Sequence, residues 1–229
     1  MQGLFITGTG TGVGKTIVSA ALLAAMAAEG ARVRAYKPVV TGLEDPSEIA
    51  ARGQWPADHE LLGAMAGMSP DEVSPLRYGP AVSPHLAAEL AGEGIEPARL
   101  LAAASDAGGA AVTLIAEGVG GLLTPLSADY TVCDLAVAVG LPVLIAAHTG
   151  LGTINHTLLT LQVARAAGLQ VRAVVLTPWP AEPSTIERSN RETIGRMGEV
   201  QVAGLRLVQA PDRPALARAG TELLAELRS

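Results

Sequence analysis

The chain has 229 residues, of which 49% are hydrophobic and 17% charged, and its net charge is −6 at pH 7. This length predicts one domain over residues 1–229 with a sizeable buried core. The acidic balance excludes the basic surface that nucleic-acid binding requires, and the longest apolar run, residues 135–147, is too short to span a membrane. A single cysteine, Cys133, and an N-terminus without a signal-peptide pattern predict a cytoplasmic protein without intrachain disulfides.

Short apolar strands alternate with longer Ala- and Leu-rich helical patterns along the chain. Strands are predicted at residues 4–6, 32–36, 111–116, 142–147, 171–176 and within 200–208. Helices are predicted at residues 16–28, 58–66, 84–90, 97–104, 132–139, 154–167, 184–197 and 215–227. This order predicts a three-layer α/β/α fold with a mostly parallel sheet covered on both faces. Residues 41–54 and 178–183 predict loops at the carboxyl edge of the sheet, where such folds bind ligands.

A glycine-rich turn follows the first strand and leads directly into the first helix. From residue 8 it reads Gly-Thr-Gly-Thr-Gly-Val-Gly-Lys-Thr. A strand, such a turn and a helix form a phosphate loop, in which backbone amides and the helix N-terminus hold phosphate oxygens. Lys15 would reach the β- and γ-phosphates, and the Thr16 hydroxyl would bind Mg²⁺. Thr9 stands where the usual spacing has glycine, so the loop is a variant; the alternative is a turn that only packs the helix against the strand.

The only two lysines of the chain are Lys15 and Lys37, whereas it has 14 arginines. Lys15 closes the glycine-rich turn, and Lys37 ends the second predicted strand. A lysine kept against this composition favours a position where a compact point charge is needed and a wide guanidinium would not serve. The alternative is that a composition rich in arginine left two lysines by chance, which does not explain their shared location.

Two carboxylates are candidate partners for a metal ion. Mg²⁺ beside a phosphate loop takes one or two carboxylates in addition to phosphate oxygens. Asp58 lies at a predicted helix start, where an N-cap is the alternative interpretation. Glu117 ends the third strand, where a carboxylate without a partner would be costly. The four histidines show no metal-ligand spacing with one another or with Cys133, so no zinc site is predicted.

Seven short segments form a wider pattern: residues 7–16, 36–39, 41–42, 83–85, 117–121, 124–126 and 151–156, with Thr160 further along. Taken together, these segments resemble the dethiobiotin synthetases. They occur in the order found in that family and cover most of the chain up to about residue 170. The C-terminal quarter matches poorly.

The resemblance implies a biotin-pathway ligase with a phosphate-loop NTPase fold that acts on 7,8-diaminononanoate, CO₂ and ATP, or another nucleoside triphosphate, with Mg²⁺. It implies catalytic roles for Lys37, Lys15 and Thr11, and metal binding by Thr16, Asp58 and Glu117. It implies nucleotide contacts at Gly12, Val13, Gly14, Lys15, Thr16, Ile17, Asp58, Glu117, Gly118, Val119, Gly120 and Thr177. It implies substrate contacts at Thr41, Lys37, Gly152 and Asn155, the last two at a helix start that holds the substrate carboxylate in a homodimer interface.

The sequence departs from the family pattern at three positions. Gly12 stands where many relatives have an acidic residue, and Val119 replaces a smaller residue. Thr177, followed by Pro178, stands where relatives carry an asparagine that recognises adenine. We therefore expect weak discrimination among nucleoside triphosphates.

The sequence also leaves other functions to be weighed. A partitioning-type switch ATPase of the same superfamily would have a second lysine near the start of the phosphate loop, and this loop has none. An amidating synthetase would carry a further glutaminase domain with a nucleophilic cysteine, for which the chain is too short. A purely nucleotide-binding module would leave Lys37 without a function.

Overall fold

The computed structural model describes residues 2–109 and 111–228, which form ten helices and eight strands. The strands are β1 (Gln2–Gly8), β2 (Val33–Tyr36), β3 (Val39–Val40), β4 (Leu76–Arg77), β5 (Thr113–Glu117), β6 (Val143–Ala147), β7 (Val171–Trp179) and β8 (Val202–Arg206). The helices are α1 (Lys15–Ala28), α2 (Pro46–Arg52), α3 (Asp58–Ala66), α4 (Pro70–Val73), α5 (Pro84–Leu90), α6 (Pro97–Ala107), α7 (Val132–Val139), α8 (Thr153–Ala166), α9 (Thr185–Gly198) and α10 (Arg213–Arg228).

Six strands form one parallel sheet in the order β2-β5-β1-β6-β7-β8, and β3 pairs with β4 in a small second sheet. The three-layer α/β/α prediction and all six predicted strands are therefore confirmed. From β1 the chain crosses to the edge strand β2, and β5 later fills the place between them, whereas β6, β7 and β8 extend the sheet on the other side. The strand order therefore reverses between β1 and β6. Ligands of open α/β sheets bind beyond the carboxyl ends of the strands at such a point, which is where the glycine-rich turn lies.

Alternate residues of each central strand enter two different cores. Phe5 of β1 belongs to a hydrophobic cluster on one face of the sheet, and the next residue, Ile6, belongs to a cluster on the other. The first cluster includes apolar residues of α6 to α9, and the second includes those of α1, α3 and α10. Because side chains alternate across a strand, continuous apolar runs are required when both faces are covered by helices.

Two irregular segments differ from the sequence prediction. Residues 41–54 contain α2, whose N-cap Asp45 accepts hydrogen bonds from the amides of Ser47 and Glu48, with Pro46 in the first turn. This Asp-Pro pair is a helix-start signal, but no residue of α2 is buried, so no apolar periodicity marks the helix. At residues 178–183, β7 continues through Trp179 after a cis peptide bond between Thr177 and Pro178.

Candidate active site

The glycine-rich turn joins β1 to α1 in a conformation that requires glycine. Gly12 and Gly14 have φ angles of 75° and 85°, and Gly14 is the N-cap of α1 without a side-chain hydrogen bond. Such angles are unfavourable for residues with a Cβ atom. The Nζ atom of Lys15 donates to the Gly10 carbonyl at 2.8 Å and so folds back over the turn. The free N-terminal amides of α1 and the lysine therefore face the same concave space, as anion binding requires.

The second lysine lies between two carboxylates. Its Nζ atom is 2.5 Å from Asp58 Oδ2 and 2.5 Å from Glu117 Oε1, and Lys37 is only 2% exposed. The register explains this arrangement, because Tyr36 of β2 pairs with Ala116 of β5, so that Lys37 and Glu117 leave adjacent strands side by side. The backbone amide of Lys37 is also fixed by the Val73 carbonyl at 2.9 Å.

Thr16 and Glu117 form the remaining contact of this cluster. The Thr16 hydroxyl donates to Glu117 Oε1 at 2.8 Å, so a single carboxylate oxygen accepts from both Thr16 and Lys37. The other oxygen, Oε2, is buried without a hydrogen-bond partner among the described residues. An unpartnered buried carboxylate oxygen is costly, and Mg²⁺ prefers oxygen ligands from carboxylates, hydroxyls and phosphates. The residues present therefore fit a magnesium ion.

Opposite charges in the cluster stabilise the charged form of one another. Burial alone would lower the pKa of Lys37, but the carboxylates of Asp58 and Glu117 outweigh burial and raise its pKa above the ordinary lysine value. Burial would likewise raise the pKa of Asp58, yet the Lys37 ammonium outweighs it and lowers this pKa. Burial, followed by repulsion from Lys37, lowers the pKa of Lys15 to about 8. Lys37 is thus a permanent cation, whereas Lys15 lacks a strong anionic partner.

These groups open into a cavity of about 920 Å³. Most of the predicted site residues lie on its wall: Thr11, Gly12, Val13, Gly14, Lys15, Thr16, Ile17, Lys37, Thr41, Asp58, Val119, Gly120 and Thr177. Glu117 lies behind the wall and is bonded to two residues that line it. Gly118 is not on the wall; a Cβ atom there would lie 2.9 Å from Val132, so tight packing against the core accounts for this glycine.

Gly152 and Asn155 lie outside the cavity wall, at the start of α8. Gly152 is the N-cap, with a φ angle of 92° and no side-chain hydrogen bond, and Thr153 does not cap the helix. Leu151, Asn155 and Leu159 follow one another at intervals of four residues, and all three side chains are exposed; Leu151 is 99% exposed. The N-terminus of α8 therefore combines uncapped amides with two exposed leucines, Leu151 just before the helix and Leu159 within it.

Thr177 closes the cavity over the glycine-rich turn. It is 4% exposed, and a Cβ atom at Gly14 would lie 2.7 Å from its methyl group. None of the described cavity-lining residues is an asparagine or glutamine. The wall near Thr177 therefore offers no side-chain amide, which is the group that could both donate to and accept from the edge of adenine.

The sequence did not reveal several residues of the wall. These are Arg52 and Trp55 at the end of and just after α2, His148 after β6, and Arg206 and Leu207 at the end of β8. His148 could have been predicted, because it directly follows an apolar strand at the carboxyl edge of the sheet, where ligands bind. The others reach the cavity only through tertiary packing.

Comparison with known proteins identifies the relatives of this chain. A family model described as an AAA domain matches residues 2–209. The ATP-dependent dethiobiotin synthetase BioD of Anaeromyxobacter dehalogenans strain 2CP-C is 38% identical over the full length of both chains. The protein of the same name from Novosphingobium aromaticivorans is 40% identical over 97% of this chain and 96% of the relative, and that from Bacillus velezensis is 34% identical over 90% and 86%.

Solved structures share the fold at low sequence identity. Cobyrinic acid a,c-diamide synthase from Mycobacterium smegmatis, with bound ATP analogue and magnesium, has a TM-score of 0.52 and 18% identity over 100% of this chain and 96% of that one. A chain of the MinC:MinD cell division complex from Aquifex aeolicus has a TM-score of 0.54 and 12% identity over 100% and 94%. In the described part of this chain, the helices are too short or too polar to cross a membrane. With its phosphate loop, its two lysines and relatives that match over almost its whole length, the chain belongs to the family of ATP-dependent dethiobiotin synthetases.

Proposed function

We propose that this protein forms dethiobiotin from 7,8-diaminononanoate, CO₂ and ATP in biotin biosynthesis, with Mg²⁺ as the metal. The observation that carries the proposal is the buried Lys37 ammonium between Asp58 and Glu117, facing the cavity that the phosphate loop opens into. A switch ATPase needs a phosphate loop and metal ligands. It does not need a second ammonium beside the terminal phosphate, where a substrate that accepts the phosphoryl group would bind.

The nucleotide site rests on residues 11–17. Their backbone amides and the N-terminus of α1 bind the polyphosphate, and Gly12, Val13 and Gly14 allow its close approach. The Lys15 ammonium leaves the Gly10 carbonyl and pairs with phosphate oxygens, which restores a strong anionic partner to a cation that has none here. Thr16, Asp58 and Glu117 supply the oxygen ligands for Mg²⁺, which when bound neutralises charge on the phosphates.

Lys37, Thr11 and Thr41 act on the carbamate that accepts the phosphoryl group. One amine of the substrate attacks CO₂ and loses a proton to give a carbamate. A carbamate oxygen then attacks the γ-phosphorus, the bond to the β-phosphate oxygen breaks, and ADP leaves with the electron pair. The Lys37 ammonium stabilises the carbamate and the transferring phosphoryl group, while the two hydroxyls orient the carbamate and the amines. The second amine attacks the carbamate carbon, the carbon–oxygen bond to the phosphate breaks, and the amine gives a proton to the leaving phosphate, which closes the cyclic urea.

The substrate carboxylate is proposed to bind at the N-terminus of α8 in a homodimer. The uncapped amides at Gly152 and the exposed Asn155 support an anion site there. The exposed leucines 151 and 159 support burial of this helix face against a second copy of the chain. We also propose that the enzyme works in the cytoplasm, where biosynthetic substrates and ATP are available.

Purified protein incubated with the diamine, bicarbonate, Mg²⁺ and ATP tests this function. The proposal predicts release of phosphate that depends on the diamine, together with dethiobiotin identified by its mass. Phosphate release at the same rate without the diamine would instead indicate a switch-type ATPase.

A further inference from the structure

One aromatic side chain on the cavity wall has no role in the reaction described above. Trp55 follows α2, is partly buried and lines the cavity. Among the lining residues in the ranges 2–109 and 111–228, it is the only phenylalanine, tyrosine or tryptophan. The other tryptophan of the chain, Trp179, packs elsewhere: a Cβ atom at Gly204 would lie 2.6 Å from its ring, and the Arg191 guanidinium is 5.3 Å from the ring centre. Trp55 therefore offers a large flat surface to a ligand in the cavity.

The order of the strands determines which end of the cavity holds the nucleoside. Lys37, just after β2, and Glu117, at the end of β5, lie on one side of β1. Thr177 of β7 and Arg206 of β8 line the cavity on the other side. At about 4.8 Å per strand, β7 and β8 lie roughly 10 and 14 Å from β1. A polyphosphate on the loop after β1, with its γ-phosphate toward Lys37, therefore extends its nucleoside toward β7 and β8.

Trp55 lies at this nucleoside end of the cavity. The side chain of Gln54 donates to the Gln209 carbonyl at 2.9 Å, which fixes the residue before Trp55 beside the segment that follows β8. Further along, Asp58 contacts Lys37. Between these two contacts the chain crosses from the β8 end of the cavity to the metal cluster. Trp55 lies at the start of this crossing, within one side-chain length of the β8 end.

The wall at the nucleoside end presents apolar surface and no side-chain amide among its described residues. Pro178, Leu207 and Val208 all line it, and the guanidinium of Arg206 lies 3.4 Å from Glu222. Such a wall favours contact with the faces of a base rather than with its edge. Stacking on an aromatic side chain adds affinity without selecting one base, because every base has a π-face. Stacking therefore agrees with the weak discrimination among nucleotides that the sequence predicts.

We propose that Trp55 stacks its indole ring on the base of the nucleoside triphosphate and so binds purines and pyrimidines alike. Only the role of the nucleotide as co-substrate rests on the proposed function; the contact itself belongs to nucleotide binding. The alternative is that Trp55 acts as an apolar side chain at the edge of the core, since it packs against the hydrophobic cluster on the α1 face of the sheet. An aliphatic residue would fulfil that role but could not stack.

Binding measurements on the purified full chain separate these two roles. Trp55→Leu keeps an apolar side chain but removes the ring. For this variant we expect the affinities for non-hydrolysable analogues of ATP, GTP and CTP with Mg²⁺ to fall roughly 10- to 100-fold. The affinity for inorganic tripolyphosphate with Mg²⁺ should stay unchanged, because this ligand has no base. Trp55→Phe should retain most of the nucleotide affinity, and Trp179→Leu is the matched control that should leave all four affinities unchanged.

Tryptophan fluorescence tests the contact without altering Trp55. Because the chain has two tryptophans, Trp179→Phe leaves Trp55 as the only one. A base stacked on an indole ring quenches its fluorescence, so the ATP analogue should quench this protein and tripolyphosphate should not. In Trp55→Phe, where Trp179 remains, neither ligand should change the emission.

Three results would overturn the proposal: unchanged nucleotide affinity in Trp55→Leu, an equal loss for tripolyphosphate and the nucleotides, or quenching that arises from Trp179 instead of Trp55. If circular dichroism shows that Trp55→Leu does not fold, the titration of Trp179→Phe still decides, and an ATP analogue that binds without quenching Trp55 refutes the contact. If nucleotides quench Trp55 but phosphate release does not depend on the diamine, the proposed function fails while the contact stands.

Discussion

The ammonium of Lys37 lies 2.5 Å from Glu117 Oε1, although the two residues are 80 positions apart in the chain. Adjacent parallel strands bring them together, since Tyr36 pairs with Ala116 immediately before them. Both are essentially excluded from solvent. Removing one member of such a pair leaves a buried charge without its partner, at a cost of about 3–5 kcal/mol, so the pair fixes the shape of the site as well as its charge.

Lys37→Arg tests whether a compact ammonium is required. The space between Asp58 and Glu117 accepts one nitrogen at 2.5 Å from each carboxylate, and a longer forked guanidinium would displace them or enter the acceptor site. We expect turnover with saturating diamine to fall at least about 100-fold, or roughly 2.7 kcal/mol of transition-state stabilisation. Nucleotide affinity, measured with a non-hydrolysable analogue, should change less than about threefold. A variant with nearly full turnover would refute the role given to Lys37.

Glu117→Gln tests the metal site. The substitution keeps the shape of the side chain but removes the charge and replaces one carboxylate oxygen with an amide nitrogen. We expect the Mg²⁺ concentration for half-maximal turnover to rise roughly 10- to 100-fold, while nucleotide binding in the presence of EDTA stays unchanged. Glu89→Gln, on the exposed side of α5, is the matched control. An unaltered Mg²⁺ dependence in the Glu117 variant would remove this residue from the metal site.

A panel of nucleotides tests the consequence of Thr177. Sites built to hydrogen-bond a particular group reject analogues without it by about 10⁴–10⁵, but the described wall has no side-chain amide for adenine. We expect kcat/KM for ATP, GTP and CTP to agree within about tenfold. Thr177→Asn should favour ATP over the other two. A strict requirement for ATP in the unsubstituted protein would show that another group recognises the base.

Charge on the exposed face of α8 tests the homodimer. Aspartates at Leu151 and Leu159 would place two carboxylates in the proposed interface. We expect monomers in sedimentation and a raised KM for the diamine, with unchanged affinity for the ATP analogue. Leu90→Asp alters a leucine that is similarly exposed at the end of α5 and should leave the association unchanged. Sedimentation as a monomer before any substitution would contradict the proposal.

The sequence predicted the fold because its signals are local. Short runs of mostly apolar residues marked all six strands of the main sheet, with Arg34 interrupting the edge strand β2, and glycines marked the phosphate loop. The helix α2 escaped prediction because it packs no apolar side chain, although Asp45 and Pro46 signalled its start. The strand order could not be derived from one chain, so the pairing of Lys37 with Glu117 could not be predicted, even though both residues were singled out separately.

The site residues that belong to sequence motifs could be predicted. Those that reach the cavity only through tertiary packing could not. Arg52 and Arg206 lie in segments without a motif, and only the folding of α2 and β8 against the phosphate loop brings them to the cavity. The roles of the individual site residues and the single-domain organisation stay predictions.

A crystal structure of the protein with a non-hydrolysable ATP analogue, Mg²⁺, the diamine and bicarbonate tests the central claim most directly. We predict the polyphosphate against the amides of residues 11–17 and the Lys37 ammonium within hydrogen-bond distance of the carbamate or of the γ-phosphate. Polyphosphate bound elsewhere, or an acceptor amine beyond the reach of Lys37, would contradict the account.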